Sequence, residues 1–541
     1  MNATPYPFDW KARYPTYRSP VFARNVVATS QPLAAQAGLR MLAAGGSAVD
    51  AAIAAAAALT IVEPVSNGLG SDAFALVWIQ KDLRLYGLNA SGRAPMVLRL
   101  GKMAPHAVNG QMPALGWAPT MVPGAVKGWA ALAKRFGALK LTETLAPAID
   151  YAQEGYPVPP GTALDWAATA RRYAREQPSH VFAAWFDTFC PGGEAPGAGQ
   201  VVRLPDHART LHAIAQSSGE DFYKGSLMEQ IVSDSQRHGG FFAKEDFTGY
   251  DVDWVEPIAF RYRGYDVCEI PPNGQGLVAL MALNILSGYE FPVRDHVDTV
   301  HRQWEAMKMA FADGLGAITD PKHMRRSVAE FLDPAYGERA RAGITQRAAK
   351  LNSPPLPKGG TVYLCTADSE GNMVSYIQSN YMGFGSGVVV SGTGIALQNR
   401  GHDFSLDPSH PNCLAPGKRS YHTIIPGFLM KDGEAVGPFG VMGGYMQPQG
   451  HVQVAMNLID FGLNPQQALD APRWQWLRDG GFVVEPEFPR EIAMQLLSRG
   501  HRVTMALDRG SFGRGQIILK GADGVLIGGT EKRTDGTIAS W

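Results

Sequence analysis

"KGGTVYLCTADSEGN", residues 358–372, decides how this chain is read. Two glycines lead directly into a strand-like run at 361–367, whose β-branched and aromatic residues suit a pleated, half-buried surface. A second run, "MVSYIQS" at 373–379, follows "DSEGN", a five-residue turn of the glycine-containing sort that closes longer hairpins. With Ala367 opposite Met373, the pairing continued outward predicts Thr361 opposite Ser379, their Cβ atoms about 5 Å apart. A Thr–Ser hydrogen bond across the hairpin is the ordinary reading of that pair. A threonine preceded by an unhindered glycine also suits a second use, attack of its hydroxyl on the preceding carbonyl. Glycine's wide conformational range accommodates the strained peptide that such an N-to-O acyl shift needs. Cleavage at Gly360–Thr361 would leave Thr361 as a new N-terminus, its α-amine, of reference pKa near 8, serving as general base for its own hydroxyl.

Upstream, "QRAAKLNSPPLPKGG" at 346–360 carries prolines and polar residues that predict an exposed linker. Residues from about 120 to 350 carry helical periodicity broken by Gly and Pro, and read as a mainly helical region. After a Pro-rich arm, residues 31–64 read as two Ala-rich helices separated by Gly45–Gly46, packed closely because their side chains are small. "NGLGSDAFALVWI" (67–79) and "LRLYGLNA" (83–90) read as strands joined at Lys81–Asp82. Downstream of the opening stretch the chain is strand-rich, with one helical interruption at "HVQVAMNLIDFG" (451–462). The pattern predicts an α+β protein of antiparallel sheets covered by helices.

The chain has 541 residues, with 49 basic and 49 acidic side chains for a net charge of +0. That balance leaves no electrostatic footprint for nucleic acid or an anionic membrane. Its four cysteines, Cys190, Cys268, Cys365 and Cys413, form no CxxC pair, which argues against a zinc site or a disulfide framework and for a reducing compartment. The N-terminal 25 residues lack an uninterrupted apolar segment, so a cytoplasmic location is expected. No HExxH, GxSxG or Walker A motif occurs, and no metal or organic cofactor is expected. His207/His212 and His296/His301 are five apart, off one helical face, and read as ordinary histidines. "GFGSG" (383–387) follows a strand but precedes another strand, so it reads as a turn rather than a phosphate loop. Cys365 reads as a packing residue.

Several motifs resemble, in order and over nearly the whole chain, those of the gamma-glutamyltransferase family of N-terminal-nucleophile (Ntn) hydrolases. They are "AAGGSAVDAAIAAAAALTIVEPVSNGLGSDAF" (43–74), "EIPPNGQGLVALMALNIL" (269–286), "GGTVYLCTADSEGNMVSY" (359–376), "GIALQNRGHDFS" (394–405), "APGKRSYHTIIP" (415–426) and "VMGGYMQPQGHVQVAMNLIDFGLNPQQALDAPRW" (441–474). The resemblance implies one precursor cut into a large subunit, 1–360, and a small subunit, 361–541, which jointly form a four-layer αββα sandwich. It implies Thr361 as nucleophile, Ser379 as supporting hydroxyl, Gly443 and Gly444 as oxyanion hole, and Asp403 as the acid that binds the substrate's α-amino group.

Departures fall on substrate recognition. The family's carboxylate-binding arginine is replaced by Ser91, with Arg93 two residues on. The expected asparagine is Tyr381, the expected glutamine Arg400, and the Ser–Ser pair His422–Thr423. The resemblance thus implies a self-processing γ-glutamyltransferase/hydrolase, with Arg93 or Arg400 supplying the carboxylate clamp. The alternative is an amidohydrolase or acylase of the same superfamily, oxamate-like or glutaryl/cephalosporin-like, with Arg93, Arg400, Tyr381 and His422 lining a pocket for another small carboxylate-bearing amide. From another class, the chain could be an unprocessed, inactive binding protein. The expected partners are the small-molecule amide and the two subunits themselves, as a heterodimer that could pair further.

Overall fold

Ser47 starts the more buried of two N-terminal helices: its hydroxyl accepts from the Asp50 amide, and the Asp50 carboxylate accepts from the Ser47 amide, a reciprocal cap that satisfies otherwise orphaned donors. Helix α1 spans Pro32–Ala43 and α2 spans Ala48–Val62. Every residue of α2 is buried, and its alanines let neighbours approach: a Cβ on Gly38 of α1 would stand 2.9 Å from the Ala51 carbonyl oxygen. The computed structural model describes residues 18–176, 179–350, 359–477, 479–508 and 510–541. Residues 1–17, and most of the linker at 351–358, lie outside these, and with them most of the N-terminal segment on which the cytoplasmic reading rests.

Two seven-stranded antiparallel sheets form the centre. Their strands, in chain order, are β1 (Val21–Ala23), β2 (Val26–Thr29), β3 (Asp72–Ile79), β4 (Arg84–Ala90), β5 (Asp253–Val255), β6 (Ile258–Tyr262) and β7 (Tyr265–Glu269). They continue as β8 (Gly360–Ala367), β9 (Met373–Tyr381), β10 (Gly427–Lys431), β11 (Glu434–Met442), β12 (Arg514–Lys520), β13 (Leu526–Thr530) and β14 (Thr537–Ser540). One sheet runs β14-β2-β8-β9-β3-β4-β5 and the other β1-β13-β12-β11-β10-β7-β6. Tyr363, Cys365, Phe74, Ile377, Phe428 and Ile518 fill the space between them. Val362, Leu364, Val374 and Tyr376, on the other face of β8 and β9, pack on α1, α2 and α3 (Ala125–Phe136). Helices α4 (Gly276–Leu286), α5 (Val297–Ala317) and α6 (Met446–Ile459) cover the second sheet. The expected αββα sandwich is the observed fold, and Cys365 is a packing residue whose thiol burial pushes well up.

The structure adds three details to the sequence reading. The region from about 120 to 350 is mainly helical, as expected, with β5, β6 and β7 as short strands set among its helices. The N-terminal arm enters the sheets as β1 and β2. The strand expected after "GFGSG" amounts to Val389–Val390, which pairs with Ile395–Ala396 outside both large sheets.

A buried charge network ties the C-terminal strands to their neighbours. Arg533 donates to Glu485 at 2.5 and 2.6 Å and to Glu531 at 2.6 Å, and Arg473 donates to Glu531 at 2.8 Å. The two guanidiniums and the Gly515 amide outweigh burial and hold Glu531 down at about 2. A carboxylate lowered in this way adds stability that is complete above the ordinary carboxylate range and is lost as pH falls through about 2. Glu531→Gln leaves buried guanidinium donors short of their partner and is expected to cost about 3–5 kcal/mol, read as a lower urea midpoint. An unchanged midpoint at neutral pH would count against this network.

Candidate active site

The turn Asp368–Asn372 closes the β8–β9 hairpin through the Asp368 carboxylate, whose Oδ1 accepts from the amides of Glu370 and Asn372. From there the register runs as expected, Ala367 opposite Met373 through Val362 opposite Gln378, and then slips by one at an irregularity that leaves Gly360 opposite Tyr381. The slip keeps the two hydroxyls together: Thr361 Oγ1 lies 3.2 Å from Ser379 Oγ. Both also touch the preceding carbonyl, Thr361 Oγ1 at 2.6 Å and Ser379 Oγ at 2.7 Å from Gly360 O. Gly359 is confined, since a Cβ there would meet the Tyr381 carbonyl at 3.1 Å and Gly444 Cα at 3.3 Å.

Strand β11 ends at Met442, and Gly443 and Gly444 turn the chain into α6 with φ of 139° and 61°, values that favour glycine. Neither of their amides has an acceptor among the described residues. Gln275, at the start of α4, donates to both the Gly444 and the Thr423 carbonyls and accepts from the Tyr421 hydroxyl. Sequence reading passed over this brace, although it lies inside the motif at 269–286.

Behind the threonine, Arg400 is 1% exposed. Its Nη2 donates to Ser379 Oγ at 2.8 Å, its Nη1 to Thr423 Oγ1 at 2.6 Å, and its guanidinium lies 4.4 Å from the Tyr381 ring centre. Tyr381, at φ 79°, donates its hydroxyl to Asp403 Oδ1 at 2.7 Å, and Tyr445 donates to the same oxygen at 3.4 Å. Asp403 Oδ2 is buried without a partner among the described residues, and burial raises this carboxyl despite the two phenols and Arg400. His422 accepts the Ile424 amide on Nδ1, which places its proton on Nε2, 3.1 Å from Asp72 Oδ2. Burial drives the imidazole well below its usual range and lifts Asp72 to about 6.

Two cavities flank this cluster. One, of about 650 Å³, is lined by Gly359, Gly360, Gly443, Trp476, Arg172 and Arg514 among others. The second, of about 870 Å³, is lined by Asp403, His402, His410 and Asn412, and shares Met382 and Tyr445 with the first. Arg400 and Tyr381 bond Ser379, Thr423 bonds Arg400 and His422 bonds Asp72, and none of the four lines either cavity. Arg93 lies elsewhere, in ion pairs with Asp253 and Asp320 and donating to the Gly417 carbonyl.

Among the described residues, His301, Glu305 and His501 form a group close enough to hold a metal ion. There Lys308 already supplies the positive charge, 2.5 Å from Glu305, and the imidazoles bond each other at 2.8 Å. No helix among the described residues is long and apolar enough to cross a membrane.

A family model described as gamma-glutamyltranspeptidase matches residues 34–541. The glutathione hydrolase-like YwrD proenzyme of Bacillus subtilis is 36% identical, the match covering 96% of this chain and 99% of that protein. An oxamate amidohydrolase proenzyme of Klebsiella pneumoniae is 33% identical over 97% of this chain and 100% of its own length. Among solved structures, a cephalosporin acylase from Bacillus halodurans superposes with a TM-score of 0.94 at 57% identity, covering 98% of both chains.

Proposed function

Because the chain belongs to the gamma-glutamyltranspeptidase family, we propose that it is a self-processing threonine amide hydrolase that cuts itself at Gly360–Thr361 into subunits of residues 1–360 and 361–541. The observation that carries this reading is the convergence of the Thr361 and Ser379 hydroxyls on the Gly360 carbonyl, at 2.6 and 2.7 Å. After the cut, Thr361 attacks the substrate amide, its α-amine taking the hydroxyl proton, and an acyl-enzyme forms as the amine leaves. The amides of Gly443 and Gly444 receive the oxyanion, and water resolves the ester.

The substrate we propose is a small amide of the kind acylases take, whose acyl part carries a carboxylate. Arg172, on the wall of the cavity beside Gly360, supports this, as do the departures at Ser91, Tyr381 and Arg400 from the family's pattern; Arg514 on the same wall is already paired with Asp165 and Glu63. A γ-glutamyl donor is the second reading, favoured by one observation: Asp403, a residue of the second cavity's wall, has a carboxylate oxygen without a partner among the described residues, and a carboxylate can hold an amino group. Paired anilides separate the two. If the substrate carries an amino group, Asp403→Asn is expected to lower kcat/KM on a γ-glutamyl anilide by about 10- to 100-fold while sparing the glutaryl anilide, which lacks that group. Equal loss on both, or no γ-glutamyl turnover by the parent enzyme, would remove the second reading. We place the protein in a reducing, cytoplasmic setting, which its four cysteines, all unbridged, support.

A further inference from the structure

Ser379 Oγ has four neighbours at hydrogen-bond distance, and their chemistry allows one assignment of its proton. The Arg400 Nη2–H at 2.8 Å and the Tyr381 backbone N–H at 2.8 Å can only donate, whereas Gly360 O at 2.7 Å can only accept. A hydroxyl has one proton and two lone pairs. Both lone pairs are therefore filled, and the Ser379 proton is committed to Gly360 O. Thr361, the fourth neighbour at 3.2 Å, finds no lone pair there and directs its proton to the same carbonyl oxygen at 2.6 Å. Its own lone pairs stay free for the carbonyl carbon.

From this geometry we propose that Arg400 is a positioning residue for self-cleavage, acting through Ser379 to polarise the Gly360 carbonyl. The proposal rests on the self-processing reading above and adds a role that a substrate clamp would not have. Arg400 is held rigidly beside the serine. Its Nη1 is held by Thr423 Oγ1, its backbone amide donates to Gln398 Oε1 at 2.5 Å, its carbonyl accepts from Ser420 Oγ at 3.0 Å, and the Tyr381 ring covers the guanidinium. A charged donor on Ser379 Oγ makes the serine proton a stronger donor in turn.

The step balances without an outside reagent until its last stage. Thr361 Oγ1 bonds to the Gly360 carbonyl carbon while the Ser379 proton stabilises the negative oxygen. The bond from that carbon to the Thr361 nitrogen then breaks, and the threonine hydroxyl proton ends on that nitrogen. One water hydrolyses the ester to the Gly360 carboxylate and the free Thr361 hydroxyl.

The test is a maturation time course on a denaturing gel, starting from freshly made full-length chain. Arg400→Met is expected to slow cleavage about 10- to 100-fold, the range a lost hydrogen bond to a charged group covers. Arg400→Lys is expected to be slowed as well, because an ammonium on a flexible stem does not reproduce the planar fork that bridges Ser379 and Thr423. The decisive arm is the double variant: in a Ser379→Ala background, Arg400→Met is expected to have no further effect. A merely structural role would instead add its full loss there. Melting curves of Thr361→Ala with and without Arg400→Met compare fold stability with cleavage blocked, and near-equal curves are expected. Wild-type rates in Arg400→Met, or a full-sized additional loss in the Ser379→Ala background, would overturn the relay while self-processing stands. A wild-type chain that never cuts at Gly360–Thr361 would overturn both.

Discussion

Thr361→Ala is expected to remain a single chain of 541 residues through prolonged incubation, while the parent protein resolves on a denaturing gel into pieces of 360 and 181 residues. Its amide hydrolase activity is expected to fall to background. Both losses have one cause. On the proposed mechanism, the hydroxyl that lies 2.6 Å from Gly360 O both opens the peptide and, once free, attacks substrate. No histidine, aspartate or glutamate is hydrogen-bonded to Thr361 among the described residues, which accords with the proposal that the amine released by cleavage is its base. Thr361→Ser keeps a hydroxyl and is expected to mature, which separates loss of chemistry from loss of fold. A Thr361→Ala chain that still divides at this position would refute the assignment.

Gly443→Ala is expected to cost the mature enzyme about 10²–10³ in kcat, the effect of losing one oxyanion donor. At φ 139° an alanine is strained, and its Cβ would meet Gly513 Cα at 3.2 Å and Met446 Cβ at 3.3 Å. Relief must rotate or shift the peptide that aims the amide. Ground-state binding depends less on that amide, so KM is expected to change little while kcat falls. Single-turnover acylation measured with a chromogenic anilide reads the step directly, and acylation at the parental rate would remove Gly443 from the oxyanion hole.

The meeting of Thr361 and Ser379 was legible because it depends on local chemistry, a turn of known length and a period-two register. The one-residue slip at Gly360 was not legible, since it falls where the strand meets residues far away in sequence, Ser66 Cα and the Val65 carbonyl lying 3.4 and 3.5 Å from where a Cβ on Gly360 would stand. The same division explains Arg93. From its place in "SGRAP" it was a candidate clamp, but Asp253 and Asp320, distant in sequence, draw it into ion pairs, and no local pattern announces partners that far away. Arg400 shows the reverse. It stood out as a departure from a motif, yet its partners Ser379 and Thr423 lie on other elements and only the fold brings them to it. The strands β5–β7 escaped notice because they are three to five residues long and offer too few alternations to stand out from the helices around them.

The strand order has a consequence for how the matured protein comes apart. In one sheet β8 and β9 sit between β2 and β3, and in the other β7 and β6 extend the edge formed by β10. Each sheet therefore interleaves strands from both sides of the Gly360–Thr361 bond. Before that bond opens, refolding is a first-order event of one chain, indifferent to dilution. Afterwards two molecules must find each other before either sheet can close, so recovery becomes second order and fails on dilution, while native lifetime is governed by the unfolding rate alone. The cut that would arm the threonine would also make folding a one-way passage, with the finished enzyme persisting because it opens slowly rather than because it can reassemble.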